Sequence, residues 1–148
     1  MTPAVASPTD HLTPSRTDVV ELVVPALAQY VAVVRAATAG LAARLDLTLD
    51  RIEDLRIAVD EACTLLVQAA DAASAPDAQL ACVFRLDDTA LTVDVTGPHA
   101  ELPERTGYAW AVLSALVDSL ESGYEDDAEG RPRTWLRLVV RAGAGQWA

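Results

Sequence analysis

Between residues 26 and 95 the hydrophobic period changes once, from helical spacing to strand spacing, and that change limits the folds open to the chain. Between residues 26 and 45 a core-facing stripe recurs every three or four positions, through Leu27, Val31, Val34, Thr38, Leu41 and Leu45. A second stripe follows, through Ile52, Leu55, Val59, Ala62, Leu66 and Ala69. From residue 80 the spacing becomes two: Leu80, Cys82, Phe84 and Leu86, then Leu91, Val93 and Val95. Two consecutive helices followed by two consecutive strands cannot make an alternating βαβ unit with a parallel sheet. They call for an antiparallel hairpin with helices laid on one face.

The flanking segments extend this pattern. Residues 18–24 are rich in valine and predict a strand, with Pro25 ending it and entering the first turn of a helix over 26–45. Thr48 or Asp50 caps the second helix, which runs to about residue 70. Residues 71–77, with Pro76, read as a turn, and residues 87–90 as the hairpin turn. Residues 97–107 carry two prolines and two glycines and predict a loop. A third helix is expected over 108–121, with Trp110, Leu113, Leu116, Val117 and Leu120 on one stripe. The acidic stretch 122–132, with Glu125, Asp126, Asp127 and Glu129, reads as a loop, and residues 134–141 as a closing strand. The expected architecture is an α/β sandwich, a mostly antiparallel sheet with helices on one face. One domain spans 16–142, between an N-terminal tail (1–15) and a C-terminal tail (143–148).

Charge and composition exclude several functions. The 22 acidic residues against 11 basic ones give a net charge of -11, which repels a phosphate backbone and leaves no basic patch for nucleic acid. A basic protein partner suits that charge. No apolar run reaches the roughly 18 residues of a membrane helix, and the first 14 residues lack the basic and apolar regions of a secretory signal. A cytoplasmic protein is expected. Cys63 and Cys82 each fall on an apolar stripe and read as buried free thiols. His11 and His99 are isolated, so no zinc site is expected.

Residues 52–64, Ile-Glu-Asp-Leu-Arg-Ile-Ala-Val-Asp-Glu-Ala-Cys-Thr, resemble the conserved helix of the anti-sigma regulatory factor and serine-kinase family. That family belongs to the wider class of ATP-binding domains of histidine kinases, gyrase and heat-shock chaperones. The resemblance covers roughly residues 18–141, is strongest over 58–64, and is nearest to the actinobacterial branch with its mycobacterial members. It implies the histidine-kinase-type (Bergerat) ATPase fold. Glu61 falls on the family's general base, a carboxylate that must lie close to the attacking hydroxyl and the terminal phosphate. Four residues on, the same helical face carries the family's magnesium-ligating asparagine; here it is Leu65, which cannot ligate a hard cation.

Two further family motifs are altered. The Asp-x-Gly-x-Gly turn that reads adenine is represented by residues 95–99, Val-Thr-Gly-Pro-His; Thr96 stands near the aspartate and Gly97 is a remnant. The glycine-rich phosphate turn is represented by residues 105–110, where Gly107 survives, Tyr108 and Trp110 are bulky, and Arg105 adds one positive charge. Asp54 and Asp60 read as solvating the helix beside Glu61. The resemblance therefore implies an anti-sigma factor that sequesters an alternative sigma factor, is countered by a STAS-type anti-anti-sigma protein, and dimerises. Its nucleotide site is degenerate: no cofactor is expected in physiological use, and any binding of ATP with magnesium is expected to be weak. The acidic run 125–129 is either a solvated loop or a guide for a basic sigma surface. The alternatives are an active serine kinase acting on the anti-anti-sigma protein, and a sensory or dimerisation module with no enzymatic role.

Overall fold

The computed structural model describes residues 16–143, so the expected 1–15 tail, His11 and nearly all of the C-terminal tail lie outside the described residues. Its elements are β1 (Asp18–Pro25), α1 (Ala28–Ala42), α2 (Leu49–Ala72), β2 (Gln79–Leu86), β3 (Ala90–Pro98), α3 (Tyr108–Leu116), β4 (Ser119–Asp126) and β5 (Pro132–Arg141). The five strands form one sheet in the order β1-β2-β3-β5-β4, and each pairing is antiparallel.

The period-2 residues dictate the layers. Leu80, Cys82, Phe84 and Leu86 of β2, Leu91, Val93 and Val95 of β3, and Leu136, Leu138 and Val140 of β5 are all buried on one face. Against them lie Leu55, Ala58, Val59, Ala62, Cys63, Leu66 and Ala70 of α2, also buried. Stripe and face together remove the apolar surface of both layers from water, at about 25 cal/mol per Å². Helix α1 joins the same core through Val31, Val34, Thr38 and Ala42. No helix among the described residues packs on the other face of the sheet.

Several expectations need correction. Pro25 is the last residue of β1 rather than part of a helix, and α1 begins two residues after Ala26, with Leu27 extended at φ -127°. Ala26 instead donates its N–H to the Ala78 carbonyl at 2.9 Å, tying the strand end to the turn before β2. Helix α1 also stops at Ala42, and Leu45 is buried from the following turn. The third helix ends at Leu116, and much of the expected acidic loop is the edge strand β4, with Ser122, Glu125 and Asp126 on it. Val117 is already extended at φ -134°, ψ 166°, and residues 119–126 pair along β5. Non-local pairing overrides a helical stripe that continues on paper through Leu120.

Thr48, not Asp50, caps α2: its hydroxyl accepts from the Arg51 N–H at 3.2 Å. The salt bridge Arg35–Asp60 at 2.7 Å crosses from α1 to α2, so Asp60 is an inter-helix tie rather than a solvating charge. The hairpin turn after β2 closes as expected, with Asp87 Oδ1 accepting from the N–H groups of Thr89 and Ala90.

Candidate functional site

The expected site residues are distributed over α2, the end of β3 and the turn before α3. Glu61 and Leu65 lie one turn apart on the same face of α2. Glu61 is exposed, and Leu65 is half-buried against the core. A leucine oriented this way adds apolar contact where a metal site would need an oxygen. Among the described residues, no group of three or more His, Cys, Asp or Glu is placed to hold a metal ion.

Gly97 faces α2 directly. A Cβ built on it would stand 3.0 Å from Leu80 Cδ2 and 3.1 Å from Leu66 Cβ and Cδ1. The glycine lets helix and sheet approach closely, and leucine side chains already fill the space above it. Thr96 does not share that face. In the β3 register it pairs with Ala81 and Trp135, on the helix-free side. The core-facing position two residues before Gly97 is Val95, which is fully buried. The threonine expected near the adenine-reading carboxylate is thus on the wrong side of the sheet, and its apolar neighbour occupies the side toward α2. Strict alternation through Leu91, Val93 and Val95 carries this signal in the sequence, because residue 97 continues the same face and residue 96 cannot.

The chain leaving β3 is pinned to β5. The fully buried Thr134 hydroxyl accepts from the Ala100 N–H at 2.8 Å and donates to the Ala100 carbonyl at 3.3 Å. Sequence reasoning missed this tie, since a threonine in a strand gives no sign of a partner 34 residues away. His99, which follows Pro98, packs its ring on Tyr124 of β4 at 5.2 Å between centroids.

Gly107 is the N-cap of α3, and its N–H donates to the Glu104 carbonyl at 2.8 Å. That donor is consumed in a turn. A Cβ on Gly107 would meet the same carbonyl oxygen at 3.1 Å, so tight backbone approach is its local requirement. Arg105 folds back over Trp110, its guanidinium 5.0 Å from the ring centroid, and reaches Ser122 of β4 with long contacts of 3.3 and 3.4 Å. Trp110 is buried beneath it, whereas Tyr108 stands 86% exposed. Helix α3 packs on α2, which puts its N-cap Gly107 in the same helical layer as Glu61 and Leu65, while Gly97 lies in the sheet beneath.

Cys63 and Cys82 are both buried and free, as the sequence indicates. They also meet across the α2–β2 interface: the Cys63 thiol donates to the Cys82 sulfur, and this contact, together with burial, pushes the Cys63 thiol well above its ordinary value. Such a thiol is a poor nucleophile at neutral pH.

Known proteins resemble this chain over most of its length. The family model for the histidine kinase-like ATPase domain matches residues 24–140. The serine-protein kinase RsbW of Bacillus thuringiensis is 30% identical over 132 residues, covering 75% of this chain and 81% of that protein. RsbW proteins of Bacillus cereus and Bacillus anthracis match with the same identity and coverage.

Proposed function

Because the chain belongs to the histidine kinase-like ATPase domain family, as an RsbW-like member of it, we propose that it is an anti-sigma factor acting by sequestration, with a nucleotide site that has decayed. The observation that carries the second part is the face of α2 and β3 where the family contacts nucleotide. Leu65 offers no oxygen to a cation, Val95 offers no carboxylate to an adenine amino group, and Leu66 and Leu80 fill the space above Gly97. The Gly107 N–H is already given to Glu104. These residues do not fit ATP with magnesium.

Inhibition by sequestration needs only a surface. The partner is an alternative sigma factor of RNA polymerase, and a STAS-domain anti-anti-sigma protein competes for the same binder. The net charge of -11 favours a basic partner surface and speeds its encounter. No described helix is long and apolar enough to cross a membrane, and a cytoplasmic location beside RNA polymerase is part of the proposal. So is a homodimeric state.

The second reading is an active serine kinase that phosphorylates the anti-anti-sigma protein. It is favoured by Glu61, which is exposed on α2 at the family's general-base position, and by the relatives' own name, serine-protein kinase. Mixing the purified chain with candidate STAS proteins, ATP and magnesium separates the two. The expected result is a sigma complex on a sizing column with no phosphoserine by mass spectrometry. Phosphate transfer that is lost in Glu61→Gln would replace the sequestration reading with the kinase one.

A further inference from the structure

The two edges of the sheet, β1 and β4, differ in how they are guarded. An edge with open N–H and C=O groups templates further pairing unless charge, proline or a cover blunts it. Strand β4 is blunted: Glu121, Glu125 and Asp126 lie on it, and the Trp135 ring crosses it at Gly123. Strand β1 is not. Five of its eight residues are valine or leucine, and Val19, Val20 and Val23 are 55%, 41% and 57% exposed. Its only charges are Asp18 and Glu21, and Arg16 already pairs with Asp18.

Two hydrogen bonds fix which backbone groups of β1 face outward. Ala26 donates its N–H to the Ala78 carbonyl, and Asp87 to the Ala90 carbonyl. Each continues the register of its ladder, β1 with β2 and β2 with β3. Bonded pairs alternate along an antiparallel ladder, so the even-numbered residues of β2 bond to the even-numbered residues of β1. Val19, Glu21 and Val23 therefore turn their N–H and C=O groups away from the sheet, and no strand among the described residues lies there. The open edge stops at Pro25, which has no N–H and whose carbonyl accepts from Leu27 at 2.8 Å.

We infer that this edge takes an extended segment of a partner protein as a sixth strand, one with a basic residue between apolar ones. Backbone bonds supply the affinity of such an addition, and alternate side chains its specificity. Val19, Glu21 and Val23 share the helix-free face. A segment antiparallel to β1 sets apolar residues against the two valines and its central residue against Glu21, which is exposed and has Val83 as its neighbour on β2. On the other face Val20 borders a cavity of about 590 Å³ lined also by Leu41, Leu86 and Arg44. The residue opposite Val20 has an apolar seat there. A second copy fits the edge poorly. The register that sets Val19 against Val23 sets Glu21 against Glu21, and like charges directly opposite destabilise a pair. Two bodies of charge -11 also repel, whereas a basic segment is attracted on both counts.

Fluorescence polarisation of the full chain with the labelled peptide Thr-Val-Thr-Arg-Leu-Val-Thr tests this. N-methylation at the arginine removes a donor that faces β1 and should weaken binding about tenfold. N-methylation at the leucine, whose N–H faces away, should leave it unchanged. Glu21→Arg should weaken the same peptide about tenfold and favour one with glutamate in place of the arginine. Glu21→Pro, at a position whose N–H gives nothing to β2, should keep its circular dichroism and lose the peptide; Glu21→Arg keeps the test valid should Glu21→Pro fold poorly. Equal losses from the two N-methylations, or no binding to the wild type at about 1 mM peptide, would overturn the edge as a docking site. Equal or tighter binding of the glutamate peptide to the wild type would overturn the basic partner. Self-association that disappears in a folded Glu21→Pro would give the edge to a second copy and overturn the proposal.

Discussion

A methyl group at residue 97 would be crowded. The nearest atoms to a Cβ there belong to Leu66 and Leu80, both fully buried, at 3.0 to 3.1 Å, and a side chain in a filled core moves only by disturbing its own neighbours. Gly97→Ala should therefore destabilise the fold by about 1–3 kcal/mol through overpacking, read as a lower urea midpoint with an unchanged slope. A neutral or stabilising outcome would mean that α2 can lift from β3 at little cost, and that the space above Gly97 is available to a ligand after all. The same region marks the reach of the sequence. A glycine after a strand can be read as a remnant of a nucleotide turn or as a point of close helix approach, and composition does not separate the two. The parity of Leu91, Val93 and Val95 does, because it sends Thr96 to the far face. What the sequence withholds is the identity of the atoms above residue 97, since Leu66 and Leu80 come from segments 31 and 17 residues away.

At the scale of elements, the hairpin and the helical layer were legible because each rests on a long, regular period: Leu55 to Leu66 for α2, and Leu80 to Val95 for the strands. Strand β4 was not. It is an edge strand whose residues, Leu120 apart, are polar or small, and what holds it is the ladder to β5 and the indole across Gly123. Both hairpins, β2–β3 and β4–β5, are closed by an aspartate, which gives the sheet an acid sensitivity. The backbone N–H of Thr89, then its hydroxyl, then the N–H of Ala90 hold the Asp87 carboxyl below its ordinary value. The Arg131 N–H does the same first for Asp127, ahead of the Glu129 N–H and the Arg131 guanidinium. A carboxyl lowered on folding contributes stability that is present above its unfolded value, about 3.9, and is lost as pH falls through the lower folded value. Melting temperature should accordingly fall below about pH 4, and the double variant Asp87→Asn, Asp127→Asn should show a shallower fall. An equally steep fall in that variant would assign the acid limb to other carboxylates.

For the whole molecule, the excess of acid is a force that acts in two places at once. Within one copy, 22 carboxylates against 11 guanidinium groups favour expansion. Between two copies the same excess opposes approach. Salt acts on both, since the screening length falls from about 30 Å at 0.01 M to about 10 Å at 0.1 M. Raising sodium chloride from 10 to 300 mM should therefore raise the melting temperature by about 3 °C or more, and it should also tighten the proposed homodimer. The second response discriminates between two kinds of contact. If ion pairs formed across the interface held the copies together, salt would loosen them. If the charges are settled within each sheet, as Arg85–Asp94–Arg137 indicates, only the long-range repulsion remains to be screened, and affinity rises with salt. Sedimentation at the two salt concentrations reads the sign directly. A dimer that weakens in 300 mM salt would place ion pairs of opposite charge across the contact.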